Sequence, residues 1–161
     1  MELTFAKAGK TDMLFVDDAK ILFPNFEGRE DTYNREGDRN FHLSIPTEEM
    51  ADELIAQGWN VQVKEYDDGE KSFKLKVKVK FNGRGPAVYL VTGNKVNELD
   101  EDTVHRLDKI DIQTANMDIR AYDWEMATGK CGRTAYLQRI EVIQELDRFK
   151  ARYAEEEYPV E

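Results

Sequence analysis

The chain has few of the residues that build metal sites, disulfides or membrane spans. Cys131 is the only cysteine among 161 residues, and there are two histidines. A single cysteine excludes an internal disulfide framework, and this Cys and His content offers no cluster for structural zinc. No apolar run approaches the roughly 18 residues of a membrane helix, and segment 1–10 lacks the apolar core of a signal peptide. We therefore expect a cytoplasmic protein without metal, cofactor or membrane partner.

Recognisable signatures of catalysis are also missing. Segment 128–134, TGKCGRT, superficially resembles a phosphate-binding loop, but that pattern requires a glycine where Trp124 stands. Cys131 would act as a nucleophile only if folding brought His42 or His105 to it, and no third group is evident. Carboxylates are numerous, yet no spacing singles out a pair. We expect no catalytic residues and no enzyme activity.

The charge of the chain is strongly acidic but unevenly distributed. The formal net charge is −10, which by itself argues against a polyanionic partner. Segment 71–97, however, has seven basic residues and no acid, and segment 126–140 has three basic residues and no acid. Segment 155–161 has four acids and no base. We interpret residues 1–150 as one domain with basic surfaces and residues 151–161 as an acidic tail; a generic acidic surface is the alternative.

The apolar pattern predicts a mainly β fold. Most apolar residues alternate with polar ones at period two, which is typical of half-buried strands. Segment 47–58 is the clearest exception: Thr47 suits a helix N-cap and Gly58 a left-handed C-terminal position. Shorter helical patterns occupy residues 99–110 and 144–157. Strands joined by hairpins around a central helix favour a small antiparallel barrel, closed or half closed, with five or more strands.

Segment 71–81 carries the sharpest functional signal. Lys74, Lys76, Lys78 and Lys80 alternate with apolar residues, so they should project from one face of a strand about 6–7 Å apart. That spacing resembles the separation of phosphates along an extended nucleic-acid strand. Arg84 follows in a glycine-rich turn. The alternative is that these lysines protect an exposed sheet edge from aggregation.

A second pattern joins aromatic and basic side chains. Arg120, Tyr122 and Trp124 alternate with apolar residues and should share one strand face, where exposed rings can stack on nucleobases. Lys130 and Arg133 lie in and after the following turn and extend the basic character. The alternative is that both aromatic residues cover a minor hydrophobic patch or pack on the last helix.

Several segments together resemble a known family. The matching stretches are ILFPNFEG, YNREGDRNFHLSI, GWNVQVKE, VKFNGRGPAVYLV and DIRAYDWEMATGKCGRTAYLQRI, followed by an acidic tail. In this order they resemble the single-stranded-DNA-binding proteins that many bacteriophages encode. The resemblance implies a five-stranded OB-fold-like barrel, cooperative coating of single-stranded DNA, and work in phage replication or recombination. Related tails often finish in an aromatic residue, whereas Tyr158 here stands three residues from the end, so a role of the tail in recruiting replication or recombination proteins stays open.

The same resemblance gives a purpose to the long polar segment 25–38. OB-folds bind strands across one sheet face and with the loops beside it, so we expect Tyr33 and Arg35 to contact the strand. Arg39 and Asn40 would either join them or fix the base of the loop. A protein–protein adaptor with an acidic surface is the competing function, and the sequence leaves both monomer and homo-oligomer open.

Overall fold

The computed structural model describes residues 1–83 and 85–146, and these form nine strands and two short helices. The strands are β1 (Glu2–Ala8), β2 (Thr11–Asn25), β3 (Arg39–Ile45), β4 (Val61–Glu65), β5 (Lys71–Val79), β6 (Ala87–Thr92), β7 (Lys95–Leu99), β8 (Ile112–Glu125) and β9 (Cys131–Gln144). Helix α1 (Glu48–Ala56) follows β3, and a 3-10 helix (Val104–Lys109) precedes β8. The mainly β prediction is confirmed.

Five of the strands form a partly closed ring. Strand β2 pairs with β3 and β8, β3 pairs with β5, and β8 pairs with β9, all antiparallel. The ring closes where β5 and β9 run parallel, through the residue pairs Val77–Ala135 and Lys78–Tyr136. Because only two residue pairs join these strands, the closure is partial. Helix α1 lies in the connection from β3 to β4, and the 3-10 helix lies in the connection from β7 to β8.

The remaining four strands extend this ring. Strand β1 folds back on the first half of β2. Strand β4 pairs with the first half of β5, on the edge that β9 joins farther along. Strand β6 pairs in parallel with the second half of β9, and β7 completes a hairpin with β6. Beyond the β5–β9 junction, the sheet therefore continues through β4 next to β5 and through β6 and β7 next to β9.

Alternating apolar residues fill the inside of the ring. Leu75 and Val77 of β5 are buried, as are Ala135 and Leu137 of β9. Helix α1 packs against β3 and β4 and adds Leu54 to the same core. Since the apolar positions point inward at period two, the polar positions of the same strands must point outward. This alternation positions the candidate site.

The local predictions for the central helix are confirmed. The Thr47 hydroxyl accepts a hydrogen bond from the Met50 amide at 3.2 Å, which is the N-cap contact. Gly58 has φ +93°, so it takes the left-handed conformation that ends the helix. Trp59, which follows, is buried in the core.

The described residues contain nine strands, five of them in the ring, which agrees with the prediction of five or more. Two features differ from the sequence predictions. The β5–β9 and β6–β9 pairs are parallel, and no local pattern reports on such distant pairings. Gln144 ends β9 instead of starting a helix, and Glu145 and Leu146 are not helical. Residues 147–157 of that predicted helix, and the tail 151–161, lie outside the described residues.

Candidate nucleic-acid interface

The lysine row defined by Lys74, Lys76, Lys78 and Lys80 lies on the outer face of the ring. The first three side chains are half-buried between neighbouring strands, and Lys80 is exposed. Strand β5 is an interior strand, paired with β3 on one side and β4 on the other. An interior strand has no free edge to protect. The edge-protection explanation for the row therefore does not apply.

Tyr136 on β9 connects the lysine row to strand β8. It is half-buried and lies opposite Lys78 on one side and Arg120 on the other. The Arg120 guanidinium is 5.1 Å from the centre of its ring, and the Lys80 ammonium is 5.6 Å from it. Tyr122 meets it edge-on, with centroids 6.1 Å apart. The ring closure thus places three cations and two aromatic rings on one surface.

Trp124 lies farther along the same face of β8, and its environment is more structural. Its indole Nε1 donates a hydrogen bond to the Thr134 hydroxyl at 3.2 Å. Its ring covers Gly132, where an added Cβ would come within 2.5 Å of the indole. Only glycine fits beneath the ring, so Gly132 fixes the position of Trp124. Tyr122, in contrast, is exposed.

Side-chain amides fix the polar loop that runs from β2 to β3. The Asn25 side chain accepts hydrogen bonds from the amides of Gly28 and Arg29 at 3.0 and 2.9 Å. The Asn34 amide nitrogen lies within hydrogen-bond distance of three loop carbonyls, and the Asn40 side chain donates to its oxygen at 2.9 Å. These groups replace the hydrogen bonds that secondary structure would supply. The loop is therefore shaped by its own sequence.

The same loop is anchored to the body of the domain. Phe26 is fully buried and stacks on Phe41, with ring centroids 5.4 Å apart. The Asp108 carboxylate accepts hydrogen bonds from the amides of Phe26 and Glu27 at 2.8 and 2.9 Å. Arg39 donates to the Phe26 carbonyl at 2.9 Å and lies over the ring of Phe81. Arg39 and Asn40 consequently serve the base of the loop.

The anchored loop forms one wall of a cleft of about 350 Å³ whose other wall is the lysine row. Tyr33 and Arg35 line the loop side, and Lys76, Lys78 and Lys80 line the strand side. Tyr33 is 95% exposed, so its ring is available to a ligand. The structure thus brings both predicted loop residues to the predicted lysine face.

Arg133 has a different environment from the other predicted contact residues. Its guanidinium donates to Asp123 at 2.6 Å, to Asp12 at 2.7 Å and to the Gln57 carbonyl at 3.0 Å. It also lies 5.0 Å from the centre of the Trp59 ring. The hydrogen bond between Asp123 and Arg133 lowers the pKa of Asp123 and raises the pKa of Arg133. The Arg133 side chain is only 12% exposed, which favours a structural role over contact with a DNA strand.

One further predicted residue lies in a turn that the structure describes. Lys130 is exposed in the β8–β9 hairpin turn, where its carbonyl accepts a hydrogen bond from the Met126 amide at 2.7 Å. It lies beyond Trp124 on the same hairpin. Arg84 lies outside the described residues.

His42 lies in the middle of the lysine face, opposite Lys76 on β5. Burial, and then the charges of Lys74 and Lys76, lower its pKa from 6.5 to about 4. Its Nδ1 is buried and has no hydrogen-bond partner among the described residues. Because this lowered pKa keeps the His42 imidazole neutral near pH 7, the positive charge of this face comes from the lysines.

Sequence reasoning overlooked Tyr136, His42 and Phe23. Tyr136 stands between Ala135 and Leu137, so alternation alone would have placed it outward beside the predicted face. His42 alternates with Phe41 and Leu43, which predicts the polar face of its strand, but the sequence suggests no role for it there beyond the rejected pairing with Cys131. Simple alternation along residues 21–23 predicts Phe23 on the same face as Ile21 and opposite Leu22; Phe23 is instead 64% exposed, because a bulge interrupts β2 there.

Comparison with known proteins agrees with this geometry. A family model described as "Putative phage ssDNA-binding domain" matches residues 4–159. Two structures of the single-stranded DNA-binding protein from bacteriophage Enc34 share the fold. The C-terminally truncated form gives a TM-score of 0.51 at 13% identity, covering 91% of this chain and 97% of that one. The form in complex with ssDNA gives 0.50 at 12%, covering 92% and 98%.

Two further comparisons carry no argument about the fold or the function of this chain. The crystal structure of gp2.5, a single-stranded DNA-binding protein encoded by bacteriophage T7, gives a TM-score of 0.45 at 11% identity, covering 94% of this chain and 96% of that one. No curated protein matches the sequence significantly. Among the described residues, no helix is long and apolar enough to cross a membrane, and no group of His, Cys, Asp or Glu is placed to hold a metal ion.

The fold and the family model together define a phage-type domain that binds single-stranded DNA. The chain belongs to the phage ssDNA-binding domain family, because the family model covers nearly its whole length. The resemblance stated from the sequence motifs is therefore confirmed.

Proposed function

We propose that the protein binds single-stranded DNA on the outer face of the β5–β9 junction and protects it, without strong sequence preference, during phage replication or recombination. The observation that carries this proposal is the position of Tyr136, which joins the lysine row to Arg120 and Tyr122 on one continuous surface. Lysines neutralise phosphates and aromatic rings stack on bases, and both interactions tolerate any sequence.

The β2–β3 loop completes this surface. Its wall of the cleft carries Tyr33 and Arg35 opposite the lysines. A strand lying in the cleft would have lysines on one side and a guanidinium and an exposed ring on the other. The loop and one face of the ring are the regions with which OB-folds bind oligonucleotides. The function needs no catalytic residue, and we propose none.

Fluorescence anisotropy with labelled oligonucleotides tests the function. A labelled oligo-dT of about 15 nucleotides should bind with a Kd tighter than about 10 µM at low salt, and affinity should fall as salt rises. Oligo-dA and a mixed sequence should bind within about tenfold of oligo-dT, and a duplex of the same length should bind more weakly. No binding to any single strand would support a protein–protein adaptor instead.

We also propose that the acidic tail, residues 151–161, competes with DNA for the basic surface and recruits replication or recombination proteins once DNA displaces it. A tethered acidic segment acts at an effective concentration on the order of millimolar. Deleting residues 155–161 should tighten binding at low salt, and the gain should shrink as salt screens both competitors. Equal affinity of the truncated and full chains at low salt would rule out this competition.

A further inference from the structure

We propose that Phe23 is a base-stacking residue that extends the DNA path to the Lys74 end of the lysine row. This inference rests on the proposed function and adds a contact that sequence reasoning did not assign. Its support comes from the exposure of the ring, the conformation of its backbone and the residues around it.

Phe23 is a large apolar side chain in an unusual position. It is 64% exposed, and its φ of +50° lies in the left-handed region that residues other than glycine rarely adopt. Gly and Asn are the residues that occupy this region readily, and a phenylalanine there is strained. Such strain persists only where the surrounding structure imposes it, and it concentrates at binding sites. Neither burial nor backbone preference accounts for phenylalanine at this position.

A bulge in β2 holds the residue in this conformation. The pairing of β2 with β3 shifts register between Leu22 and Asn25, so Phe23 and Pro24 fall out of the ladder. Asn25, immediately after, is fixed by hydrogen bonds to the backbone of Gly28 and Arg29. A bulge re-aims a side chain out of its normal alternation. Here it turns the ring of Phe23 away from the core and onto the outer surface.

The ring of Phe23 lies beside the lysine row. The Lys74 ammonium is 4.9 Å from the centre of the ring. His42, which is opposite Lys76, meets the ring nearly at a right angle with centroids 5.8 Å apart. A base stacked on Phe23 would therefore have a cation within reach of its phosphate. The same combination of ring and cation occurs at Tyr136.

The two aromatic residues mark opposite ends of the row. Lys80 lies over Tyr136, and Lys74 lies over Phe23. The six residue-to-residue steps from Lys74 to Lys80 span about 20 Å in an extended strand. This is room for roughly three nucleotides at the 6–7 Å spacing of the lysines. A short single strand can thus stack at both ends while its phosphates contact the lysines between them.

The test compares Phe23→Ala and Phe23→Gly with the unaltered chain on two labelled ligands. One is oligo-dT of about 15 nucleotides, and the other is a strand of equal length without bases, which keeps the phosphates and cannot stack. Val96→Ala is the matched control, because Val96 is an apolar residue of β7 with 62% exposure that pairs with Val91 of β6 rather than with β5. Binding of the unaltered chain to oligo-dT is measured first, since its absence would contradict the proposed function and not this inference alone.

We expect both Phe23 variants to bind oligo-dT about fivefold to a hundredfold more weakly, with little change for the abasic strand. Val96→Ala should bind both ligands like the unaltered chain. Unchanged affinity of Phe23→Ala for oligo-dT would overturn the proposal. Equal losses for both ligands would overturn it too, because they would assign Phe23 to the shape of the site rather than to stacking.

Thermal unfolding of the same variants separates stacking from folding. Glycine adopts positive φ without strain and alanine does not, so Phe23→Gly should unfold a few degrees above Phe23→Ala. Both should nevertheless lose the same oligo-dT affinity. If oligo-dT affinity instead follows the unfolding temperature across the two variants, Phe23 serves the stability of the fold and the proposal is wrong.

Discussion

Lys78 on β5 lies directly opposite Tyr136 on β9, in one of the two residue pairs that close the ring. The pairing of β5 with β9 thus closes the ring and also joins the lysine row to Tyr136 and its aromatic neighbour Tyr122. Because the pair is parallel and links residues far apart in sequence, the surface exists only in the folded chain. The proposed DNA path depends on this junction.

The lysine row gives the first prediction. Replacing Lys76 with alanine should weaken single-strand binding and reduce the log–log salt slope by about 0.7, since one phosphate contact and its counterion are lost. Lys95→Ala is the matched control, because Lys95 is exposed on β7 outside the row. The measurement is anisotropy with oligo-dT at salt concentrations from about 50 to 200 mM. If both variants change affinity and slope equally, the row has no special role.

Tyr136 gives the second prediction. Tyr136→Ala should weaken binding by about 1–3 kcal/mol through loss of stacking, while Tyr136→Phe should keep most of the affinity because its ring is retained. Isothermal titration with oligo-dT measures both variants. Since Tyr136 also contacts Arg120 and Lys80, thermal unfolding of each variant is the necessary control. Equal binding by the alanine and phenylalanine variants would contradict a stacking role.

Arg133 gives a prediction about stability. Arg133→Ala removes the hydrogen bonds that Asp123, Asp12 and the Gln57 carbonyl accept, so the free energy of unfolding should fall by about 2 kcal/mol. Urea denaturation measures the change, with Arg106→Ala, at an exposed position of the 3-10 helix, as control. The salt slope of DNA binding should stay unchanged. A variant with normal stability and a reduced salt slope would instead identify Arg133 as a phosphate contact.

His42 gives a prediction about pH. Its pKa is about 4 in the folded chain and ordinarily 6.5. Between these values the unfolded chain binds a proton that the folded chain does not, so acidification through this window lowers the free energy of unfolding. His42→Gln removes this contribution. Urea denaturation measures the unfolding free energy of the unaltered chain and of the variant. The difference between them should be constant above pH 6.5. Between pH 6.5 and 4 the unaltered chain should lose stability relative to the variant. A difference independent of pH would contradict the lowered pKa.

The sequence predicted features that depend on neighbouring residues. Period-two alternation placed the lysine row and the Arg120 face outward, and capping preferences located α1, because both follow from local geometry. The parallel closure between Val77 and Ala135 has no local signal. Phe23 was misplaced because alternation assumes an unbroken ladder, and the bulge after Leu22 breaks it.

Photo-cross-linking tests the proposed DNA path most directly. An oligo-dT carrying 5-iodouracil at successive positions is bound to the full chain and irradiated, and the attachment sites are mapped by mass spectrometry. The account predicts cross-links at Tyr136, Tyr122, Tyr33 and Phe23, all on the outer face beside the lysine row. Cross-links concentrated at Tyr89, which lies on β6 beside Arg139, with none at Tyr136, would contradict it.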